Sequence, residues 1–353
     1  MFSRQPAPLI GLDVSTSSVK LVELGQDRSG NLTLERCGIE LLESGWVSDG
    51  NIEKFDEVVE ATRRLVNRSG SKTKHVAMAL PASVVISKKI ILPGGLSERE
   101  MEVQVESEAN QYIPFSLDEV ALDFCVVGPS STSAGDVEVV IAASRKEKVE
   151  DRQGLAEAVG LTPVVMDVET YASRLAASRV IARLPGGGVD AVIALFEVGA
   201  LTSTLQVMRN DDLVYERDQV FGGAQLTQML VRQYGFTLDE AETKKRAGEL
   251  PDDYGPVVLQ PFVESLAQEI ERALKFFFTS TPHHRVDYIL LAGGTAGLPG
   301  LTEVVTRLTS FACQVANPFD GMDVGRLVRE KVMLREAPSY LTACGLAMRR
   351  FLR

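Results

Sequence analysis

The chain has 353 residues, of which 45% are hydrophobic and 24% charged, a composition typical of globular proteins with one large or two medium domains. Its 48 Asp and Glu residues outnumber the 37 Lys and Arg residues, and the formal net charge of −11 disfavours phosphate backbones and bare anionic membranes as primary partners. The four cysteines are scattered, and no apolar signal segment or run of about eighteen apolar residues occurs, so the sequence argues against zinc and disulfide frameworks and favours a cytoplasmic protein.

The beginning of the chain predicts a β-meander followed by one helix. Short aliphatic runs predict strands at Leu9–Asp13, Ser18–Glu23 and Leu32–Cys37. Apolar residues recur at helical spacing over Phe55–Ser69, and Gly70 ends this helix.

Residues 75–160 predict the order β-β-α-β-β-α, which is compact enough to form a subdomain of its own. Ser97 and Glu100 have the spacing of a capping box, so a helix begins there and runs to about Tyr112, where Pro114 ends it. The strands of this block are expected at His75–Leu80, Val84–Ile91, Val120–Val127 and Val137–Ala142.

Three consecutive glycines, at positions 186–188, form the clearest break in composition, and we place the main domain boundary near them. Strands expected at Ala191–Glu197, Leu201–Met208 and Leu213–Val220 repeat the opening of the chain, which is weak evidence for an internal duplication. The remaining predicted elements are a strand at Val286–Ala292 and helices at Ala224–Tyr234, Leu238–Ala247, Val263–Phe278, Gly300–Thr309 and Tyr340–Leu352, which complete an α/β architecture.

The bend after the first strand carries residues that can bind phosphate. Asp13 ends the strand, hydroxyl side chains follow, and Lys20 comes next. The amides and hydroxyls of such a bend bind phosphate oxygens, the lysine adds a cation, and the aspartate can hold a hydrated Mg²⁺ ion. The same residue types also suit an ordinary polar β-turn.

Two later segments repeat or complement this bend. Glu197 follows an apolar strand and precedes Gly199, Ala200 and Thr202, so two acid-bearing hairpins can clamp a phosphate chain between halves of the molecule. A buried strand ends in paired glycines within Ile289–Leu301, where the backbone can approach a flat ligand closely. Alone, each segment would also be an unremarkable hairpin or tight turn.

These three segments resemble the phosphate-1, phosphate-2 and adenosine motifs of the superfamily of actin, Hsp70 and sugar kinases. Within its FtsA-like branch, nearly the whole chain resembles the PilM family of type IV pilus assembly proteins. The resemblance is carried by Lys88–Leu92, Leu96–Glu100, Glu108–Phe115, Phe221–Thr227 and Ala343–Ala347.

The resemblance implies an α/β fold of two actin-like (ribonuclease H-like) lobes around a nucleotide cleft, with an inserted FtsA-type subdomain. It assigns residues 1–74 to the N-terminal part of the first lobe, 75–160 to the inserted subdomain, 161–185 to the connection and end of the first lobe, 186–335 to the second lobe, and 336–353 to a C-terminal helix that returns to the first lobe.

The resemblance also implies bound Mg²⁺ and ATP, with Asp13 and Glu197 facing the metal and Glu169 in a catalytic position at the first connection between the lobes. The residues implied to bind the nucleotide are Asp13, Ser15, Thr16, Ser17, Ser18, Lys20, Gly199, Ala200, Thr202, Gly222, Gly223, Glu242, Lys245, Gly293, Gly294, Thr295 and Gly297. The superfamily usually has Asp where this chain has Glu197. The longer side chain puts hydrolysis in question more than binding, so we expect at most a slow ATPase.

The partner implied by the resemblance is PilN, a bitopic inner-membrane protein whose short N-terminal cytoplasmic tail binds a groove near the inserted subdomain. Tyr112, Ile113 and Pro114 are the residues expected at the rim of this groove, although helix termination and core packing would explain them equally well. Further implied partners are the PilN/PilO inner-membrane complex, a pilus motor ATPase and a second copy of the chain.

The function expected from these features is that of a cytoplasmic, ATP-binding adaptor in type IV pilus assembly and twitching motility, held at the inner membrane by its protein partners. Two alternatives remain open. An FtsA-like filament former would carry a C-terminal linker and amphipathic helix, whereas this chain stops eight residues after Gly345. A sugar-kinase-type phosphotransferase needs an aspartate aimed at a substrate hydroxyl, and no such residue follows the first phosphate motif.

Overall fold

The computed structural model describes residues 7–130, 132–210 and 212–352, so the outermost residues of the predicted ranges 1–74 and 336–353 lie outside the described part. The chain divides into two compact units. The first unit contains residues 7–21, Gly38–Ala172 and 349–352, and the second contains Val22–Cys37 and Ser173–Met348.

Strands and helices alternate along most of the described chain. The strands are β1 (Ile10–Val14), β2 (Ser18–Gln26), β3 (Leu32–Leu41), β4 (Val47–Ser48), β5 (Asn51–Ile52), β6 (His75–Leu80), β7 (Ile86–Pro93), β8 (Val120–Pro129), β9 (Asp136–Arg145), β10 (Thr162–Val168), β11 (Val192–Val198), β12 (Ser203–Arg209), β13 (Asp212–Gln219), β14 (Tyr288–Ala292), β15 (Ala312–Val315) and β16 (Asp323–Val324). The α-helices are α1 (Phe55–Ser69), α2 (Glu98–Ala109), α3 (Lys146–Ala158), α4 (Glu169–Ile181), α5 (Ala224–Tyr234), α6 (Leu238–Ala247), α7 (Gln260–Ser280), α8 (Leu301–Thr309), α9 (Glu330–Glu336) and α10 (Leu341–Met348).

Several predicted boundaries are confirmed to the residue, and others shift for identifiable reasons. The bounds of α1, α5, α6 and β6 are those predicted. Strand β7 begins at Ile86 instead of Val84 because Ala82–Val84 form a 3₁₀ turn after Pro81. Helix α7 is longer than predicted at both ends; the π-helical turn Gly255–Leu259 runs directly into its start, and Pro261, which lacks an N–H, is tolerated in the first turn.

A six-stranded sheet has the strand order β10-β6-β1-β2-β3-β16, and its strands β10, β6 and β1 lie in the first unit. Strand β6 pairs in parallel with both β1 and β10, and every residue of β1 is buried. Helices α1 and α3 contribute their apolar faces to the core of this sheet. The buried residues that form this core include Ile10, Leu12, Leu21, Val58, Leu65, Met78, Leu155 and Ala156.

A three-stranded antiparallel sheet with the order β7-β9-β8 also belongs to the first unit. Helix α2 packs on it, and the predicted capping box is present, because Ser97 and Glu100 each satisfy a backbone N–H of the other. The core of this sheet consists of Ile90, Leu92, Met101, Val105, Val139 and Ile141. The contiguous block 75–160 therefore supplies strands to two different sheets, since β6 lies in the larger one.

The sheet of the second unit has the order β13-β12-β11-β14-β15, with β11 antiparallel to β12 and parallel to β14. Helix α7 buries one face against it, including Phe262, Leu266, Ile270 and Phe277. Five strands of the six-stranded sheet, β3-β2-β1-β6-β10, have the same order, in which three consecutive strands are followed by two parallel strands. The repeated strand pattern found in the sequence therefore extends to the topology of both sheets.

The chain re-enters the first unit just after α10, at Arg349. The guanidinium of Arg349 binds Asp167 of the same unit with two hydrogen bonds, from Nε to Oδ2 at 2.6 Å and from Nη2 to Oδ1 at 2.9 Å. The Asp167 side chain is 7% exposed and that of Arg349 is 28% exposed. This bidentate pair ties the last described residues to the end of β10.

We expect Arg349→Met to lower the free energy of unfolding by about 2 kcal/mol, because it leaves a buried carboxylate without its bidentate donor. Urea unfolding measures this loss. Arg335→Met is the control, since the Arg335 side chain is 72% exposed and lies 3.6 Å from Glu336, and it should cost less than about 0.5 kcal/mol. Equal losses in the two variants would contradict the structural role of the pair.

Candidate functional site

In the first unit, the bend between β1 and β2 holds a carboxylate, an ammonium and a hydroxyl in one hydrogen-bonded group. Lys20 Nζ donates to Asp13 Oδ2 at 2.8 Å and to Ser15 Oγ at 3.0 Å. The N–H and the hydroxyl of Ser15 both donate to the carbonyl of Ser18, each at 3.0 Å. Asp13 and Lys20 are only 5% and 8% exposed, so the charged pair lies at the buried base of the bend.

The tip of this bend is more accessible than its base. Thr16 and Ser17 are both half-buried, and the carbonyl of Ser17 accepts a hydrogen bond from the N–H of Leu42. The structure therefore brings together the acid, the lysine and the hydroxyls that the sequence predicted for a phosphate-binding bend.

A buried arginine that sequence reasoning missed lies near the same group. Arg152 on α3 is 1% exposed; its Nη2 donates to the carbonyl of Gly50 at 3.2 Å, and its Nε has no hydrogen-bond partner among the described residues. Burial lowers the pKa of Arg152, while the charges of Glu169, Asp151 and Asp13 oppose this shift. Arg152 is therefore a second cation within the field of Asp13 and of Glu169 at the start of α4. The polar neighbours of Arg152 in sequence give no sign that it is buried.

In the second unit, segments that are far apart in sequence meet beyond the end of β11. The N–H of Gly223 donates to the carbonyl of Gly199, and that of Ala224 donates to the carbonyl of Ala200, both at 2.9 Å. A Cβ atom on Gly222 would lie 2.4 Å from the carbonyl oxygen of Ala200. Only glycine permits this approach, so the pair of glycines before α5 packs directly on the phosphate-2 segment.

The glycine-rich segment after β14 reaches the same place. Gly293 has φ +89°, and a Cβ atom there would lie 2.3 Å from the carbonyl oxygen of Val198. A Cβ atom on Gly223 would lie 2.6 Å from the hydroxyl of Thr295, which is buried. By contrast, a Cβ atom on Gly297 would meet none of the described residues within 4 Å. The three predicted segments of this unit therefore form one cluster of closely packed loops.

Sequence reasoning also missed a neutral hydrogen-bond donor that lies beside Glu197. Gln206 on β12 donates from Nε2 to Glu197 Oε1 at 3.5 Å and to Ser173 Oγ at 3.1 Å. Thr204, the partner of Glu197 in the β11–β12 register, donates to Asp218 Oδ1 at 2.7 Å. The signal for Gln206 was an amide between the apolar residues Leu205 and Val207 of the predicted strand.

Helices α5 and α6 carry a charged group next to the glycine cluster. Glu242 Oε2 accepts hydrogen bonds from Thr227 Oγ1 at 2.8 Å and from Lys245 Nζ at 2.6 Å, and Lys245 also donates to Thr227 at 2.7 Å. Burial raises the pKa of Glu242, but Lys245, Arg246 and Thr227 outweigh it and bring that pKa below its usual value. Burial lowers the pKa of Lys245, and Glu242 opposes this shift.

The predicted peptide-binding residues divide by exposure. Tyr112 and Pro114 are exposed, and Lys88 Nζ lies 3.6 Å from the centre of the Tyr112 ring. Ile113 is 7% exposed and packs in an apolar cluster with Val120 and Ala143. Tyr112 and Pro114 can therefore contact a partner, whereas the side chain of Ile113 supports the surface from below.

The donor types at the predicted metal positions are those that magnesium prefers. Asp13 and Glu197 each offer carboxylate oxygens, and Mg²⁺ binds through one or two carboxylates while keeping several waters. Among the described residues, no group of three or more His, Cys, Asp or Glu side chains is placed to enclose a metal ion. The carboxylate oxygens of Asp13 and of Glu197 are each of the donor type that fits a hydrated magnesium ion.

Comparison with known proteins gives a consistent result. The family model described as type IV pilus assembly protein PilM matches residues 11–351. The solved structure of a PilM-PilN type IV pilus biogenesis complex is 27% identical, covers 99% of this chain and 100% of that chain, and has a TM-score of 0.80. The ethanolamine utilization protein EutJ from Carboxydothermus hydrogenoformans is 18% identical, covers 97% of this chain and 90% of that chain, and shares the fold with a TM-score of 0.59.

These similarities confirm the predicted actin-like α/β fold class. Within the described residues, the structure contains no helix long and apolar enough to cross a bilayer. The division of the chain into lobes and an inserted subdomain, and the roles of the individual site residues, stay predictions.

We expect Gly293→Ala to lower the free energy of unfolding by more than about 2 kcal/mol, because the new Cβ atom would collide with the carbonyl of Val198 at a positive φ. Gly297→Ala lies in the same loop without such a contact and should change stability by less than about 0.5 kcal/mol. Urea unfolding of both variants compares them. Equal stability of the two variants would show that the close approach is unimportant.

Glu242→Gln should lower the free energy of unfolding by about 1 kcal/mol at neutral pH, because Lys245 and Thr227 lose a charged acceptor. The folded-state pKa of Glu242 lies below its ordinary value of 4.5. Its contribution is therefore complete above pH 4.5 and is lost as the pH falls through the folded-state pKa.

Urea unfolding at several pH values should show the difference between wild type and Glu242→Gln narrowing below about pH 4.5. Glu264→Gln on α7 is the control, because its carboxylate accepts a long 3.4 Å hydrogen bond from Gln260. A difference that stays constant down to pH 3 would contradict the assigned ion pair.

Proposed function

The chain belongs to the PilM family of type IV pilus assembly proteins, and on that premise we propose that it is an ATP-binding adaptor that binds the N-terminal cytoplasmic tail of PilN. In this role it links the inner-membrane part of the pilus assembly machinery to the cytoplasm. It acts through binding, with ATP turnover at most slow.

The PilN assignment is supported by the similarity to the PilM-PilN complex, which extends over 99% of this chain at 27% identity. The exposed Tyr112 and Pro114 on the first unit offer an aromatic and a proline surface of the kind that short peptides contact. Contacts with PilO, with a pilus motor ATPase and with a second copy of the chain stay predictions, as does attachment to the inner membrane through these partners.

The observation that carries ATP binding is the convergence of three loops in the second unit. The backbone contacts of Gly199 and Ala200 with Gly223 and Ala224 bring small residues together, and small residues let phosphate oxygens approach the backbone closely. We assign Gly293, Gly294 and Thr295 to the adenosine, and Thr202 and Gly222 to the phosphates.

In the first unit, Lys20 supplies the cation of the phosphate-binding bend, and Ser15, Thr16, Ser17 and Ser18 supply its hydroxyls and amides. Asp13 and Glu197 are the residues that would hold a hydrated Mg²⁺ ion, which would neutralise charge on the phosphates. We assign Glu242 and Lys245, already bonded through Thr227, to the ribose and base.

The positions of the two acidic residues Glu169 and Glu197 favour slow hydrolysis of ATP. Glu169 begins α4 within the field of Arg152, and we assign it to the orientation of an attacking water. Glu197 carries one methylene more than the aspartate common in the superfamily, so its carboxylate has more conformations to lose before it reaches an octahedral shell. Binding tolerates this freedom better than catalysis does.

Nucleotide and peptide binding are coupled in this proposal. A ligand that binds one conformation more tightly than another shifts the population by its differential affinity, and a few kcal/mol is ample. ATP therefore favours whichever conformation of the protein binds it more tightly. The affinity for the PilN tail then changes by the same coupling factor.

Lys20→Ala and Asp13→Ala test this assignment. We expect each to weaken ATP binding about tenfold or more, because a phosphate-contacting cation or its partner carboxylate is lost. Calorimetry with a peptide of the PilN tail should show a parallel loss of peptide affinity in the presence of ATP. Arg335→Met serves as an exposed-charge control, since it should change neither affinity.

Peptide affinity that is equal in nucleotide-free and ATP-bound wild type would refute the coupling. Stoichiometric phosphorylation of a sugar from a panel of candidates would instead favour a phosphotransferase. ATP-dependent sedimentation as filaments would favour an FtsA-like protein.

A further inference from the structure

We propose that Gln206 is a positioning residue that holds the carboxylate of Glu197 in place for the hydrated magnesium ion of bound ATP. The inference rests on the proposed ATP binding and deepens it. It concerns a residue outside the phosphate and adenosine motifs, on the strand next to the phosphate-2 segment.

The strand register places the two side chains on one face of the sheet. In the antiparallel pair β11–β12, Leu195 is opposite Gln206 and Glu197 is opposite Thr204. Gln206 is therefore the diagonal neighbour of Glu197 on the same face, within reach of a long side chain. Its Nε2 atom lies 3.5 Å from Glu197 Oε1 and 3.1 Å from Ser173 Oγ.

The burial of the Gln206 side chain supports a role in positioning Glu197. The side chain is 0% exposed, in a strand where Leu205 and Val207 are also fully buried. An amide in this position must lose its hydration, and each polar atom left without a partner costs about 1–3 kcal/mol. Leucine or methionine would fill the same space at no such cost, so the hydrogen bonds made by the amide are the reason for a glutamine here.

The neutrality of the donor distinguishes Glu197 from Asp13. Asp13 is bound by the ammonium of Lys20, which offsets its charge. The amide of Gln206 is itself uncharged, so its hydrogen bond restricts the conformations of the Glu197 carboxylate without adding a positive charge beside it. A donor of this kind reduces, without removing, the conformational freedom that the extra methylene gives to glutamate, because one oxygen contacts a side chain of the neighbouring strand.

The other end of the amide also fits a hydrated ion. Gln206 Oε1 is buried and has no hydrogen-bond partner among the described residues. It is an acceptor, and the waters around a magnesium ion are donors. The amide is thus anchored by Ser173 and Glu197 through Nε2 and offers Oε1 to a donor outside the described chain.

Gln206→Met tests the proposal, because methionine keeps the length of the side chain and removes the amide. ATP affinity is measured by calorimetry on the full chain, once with Mg²⁺ and once with EDTA. We expect affinity to fall about tenfold in Mg²⁺ and by less than about twofold in EDTA. A merely structural role would weaken both equally.

A double-mutant cycle with Glu197→Gln separates action through Glu197 from any other effect. In the Glu197→Gln background, Gln206→Met should change the Mg²⁺-dependent affinity by less than about twofold. Thr62→Val is the matched control, because it removes a buried side-chain hydrogen bond on α1, from Thr62 to the carbonyl of Val58 at 2.7 Å. It should leave the Mg²⁺ dependence unchanged.

If Gln206→Met does not fold, Gln206→Asn is the second variant. Asparagine keeps an amide but is too short to reach Glu197, so Gln206→Asn should show the same loss of ATP affinity in Mg²⁺ and not in EDTA. Equal losses with and without Mg²⁺, or the same loss in the Glu197→Gln background, would overturn the proposal. If the wild-type protein does not bind ATP, both the proposed function and this inference are refuted. If the wild type binds ATP and Gln206→Met binds it with the same Mg²⁺-dependent affinity, only this inference is refuted.

Discussion

The close packing of backbone against backbone beyond the end of β11 is the constraint on which the candidate site depends. The carbonyls of Val198 and Ala200 lie where a side chain on Gly293 or Gly222 would have to be. These contacts bring loops from three parts of the second unit to one surface, and α5 begins directly from them at Ala224. The position of the charged group on α5 and α6 follows, because α5 carries Thr227 within its first turn.

The sheets that contain β1 and β11 share the order of five strands. They differ in the side chains that contact the carboxylate at the bend after β1 and at the bend after β11. In the first unit, Asp13 is paired with the ammonium of Lys20, so the pair carries little net charge. In the second unit, Glu197 receives a 3.5 Å hydrogen bond from the neutral amide of Gln206. The two bends therefore differ in the charge of the side chain that donates to the carboxylate, an ammonium in one and an amide in the other.

Local signals accounted for the elements that were predicted well. Helix α1 is amphipathic and ends at Gly70 in the left-handed conformation, and α6 begins with the capping box of Thr237 and Glu240. The short helix α9 has no side-chain cap, and β10 begins beside Pro163, so neither carries a local signal strong enough to identify it. These two elements are stabilised by their neighbours, as the parallel pairing of β10 with β6 illustrates.

The sequence by itself determined the fold class, the family and the three motif segments, because glycines, hydroxyls and acids at fixed spacing have direct consequences for the local backbone. Only the tertiary structure decided which side chains surround these motifs. Arg152 and Gln206 lie on elements remote in sequence from Asp13 and Glu197, and their burial depends on packing that no local pattern encodes. Long-range contacts between strands and helices determine the electrostatic environment of a site. That environment therefore exists only in the folded chain and cannot be inferred from local sequence.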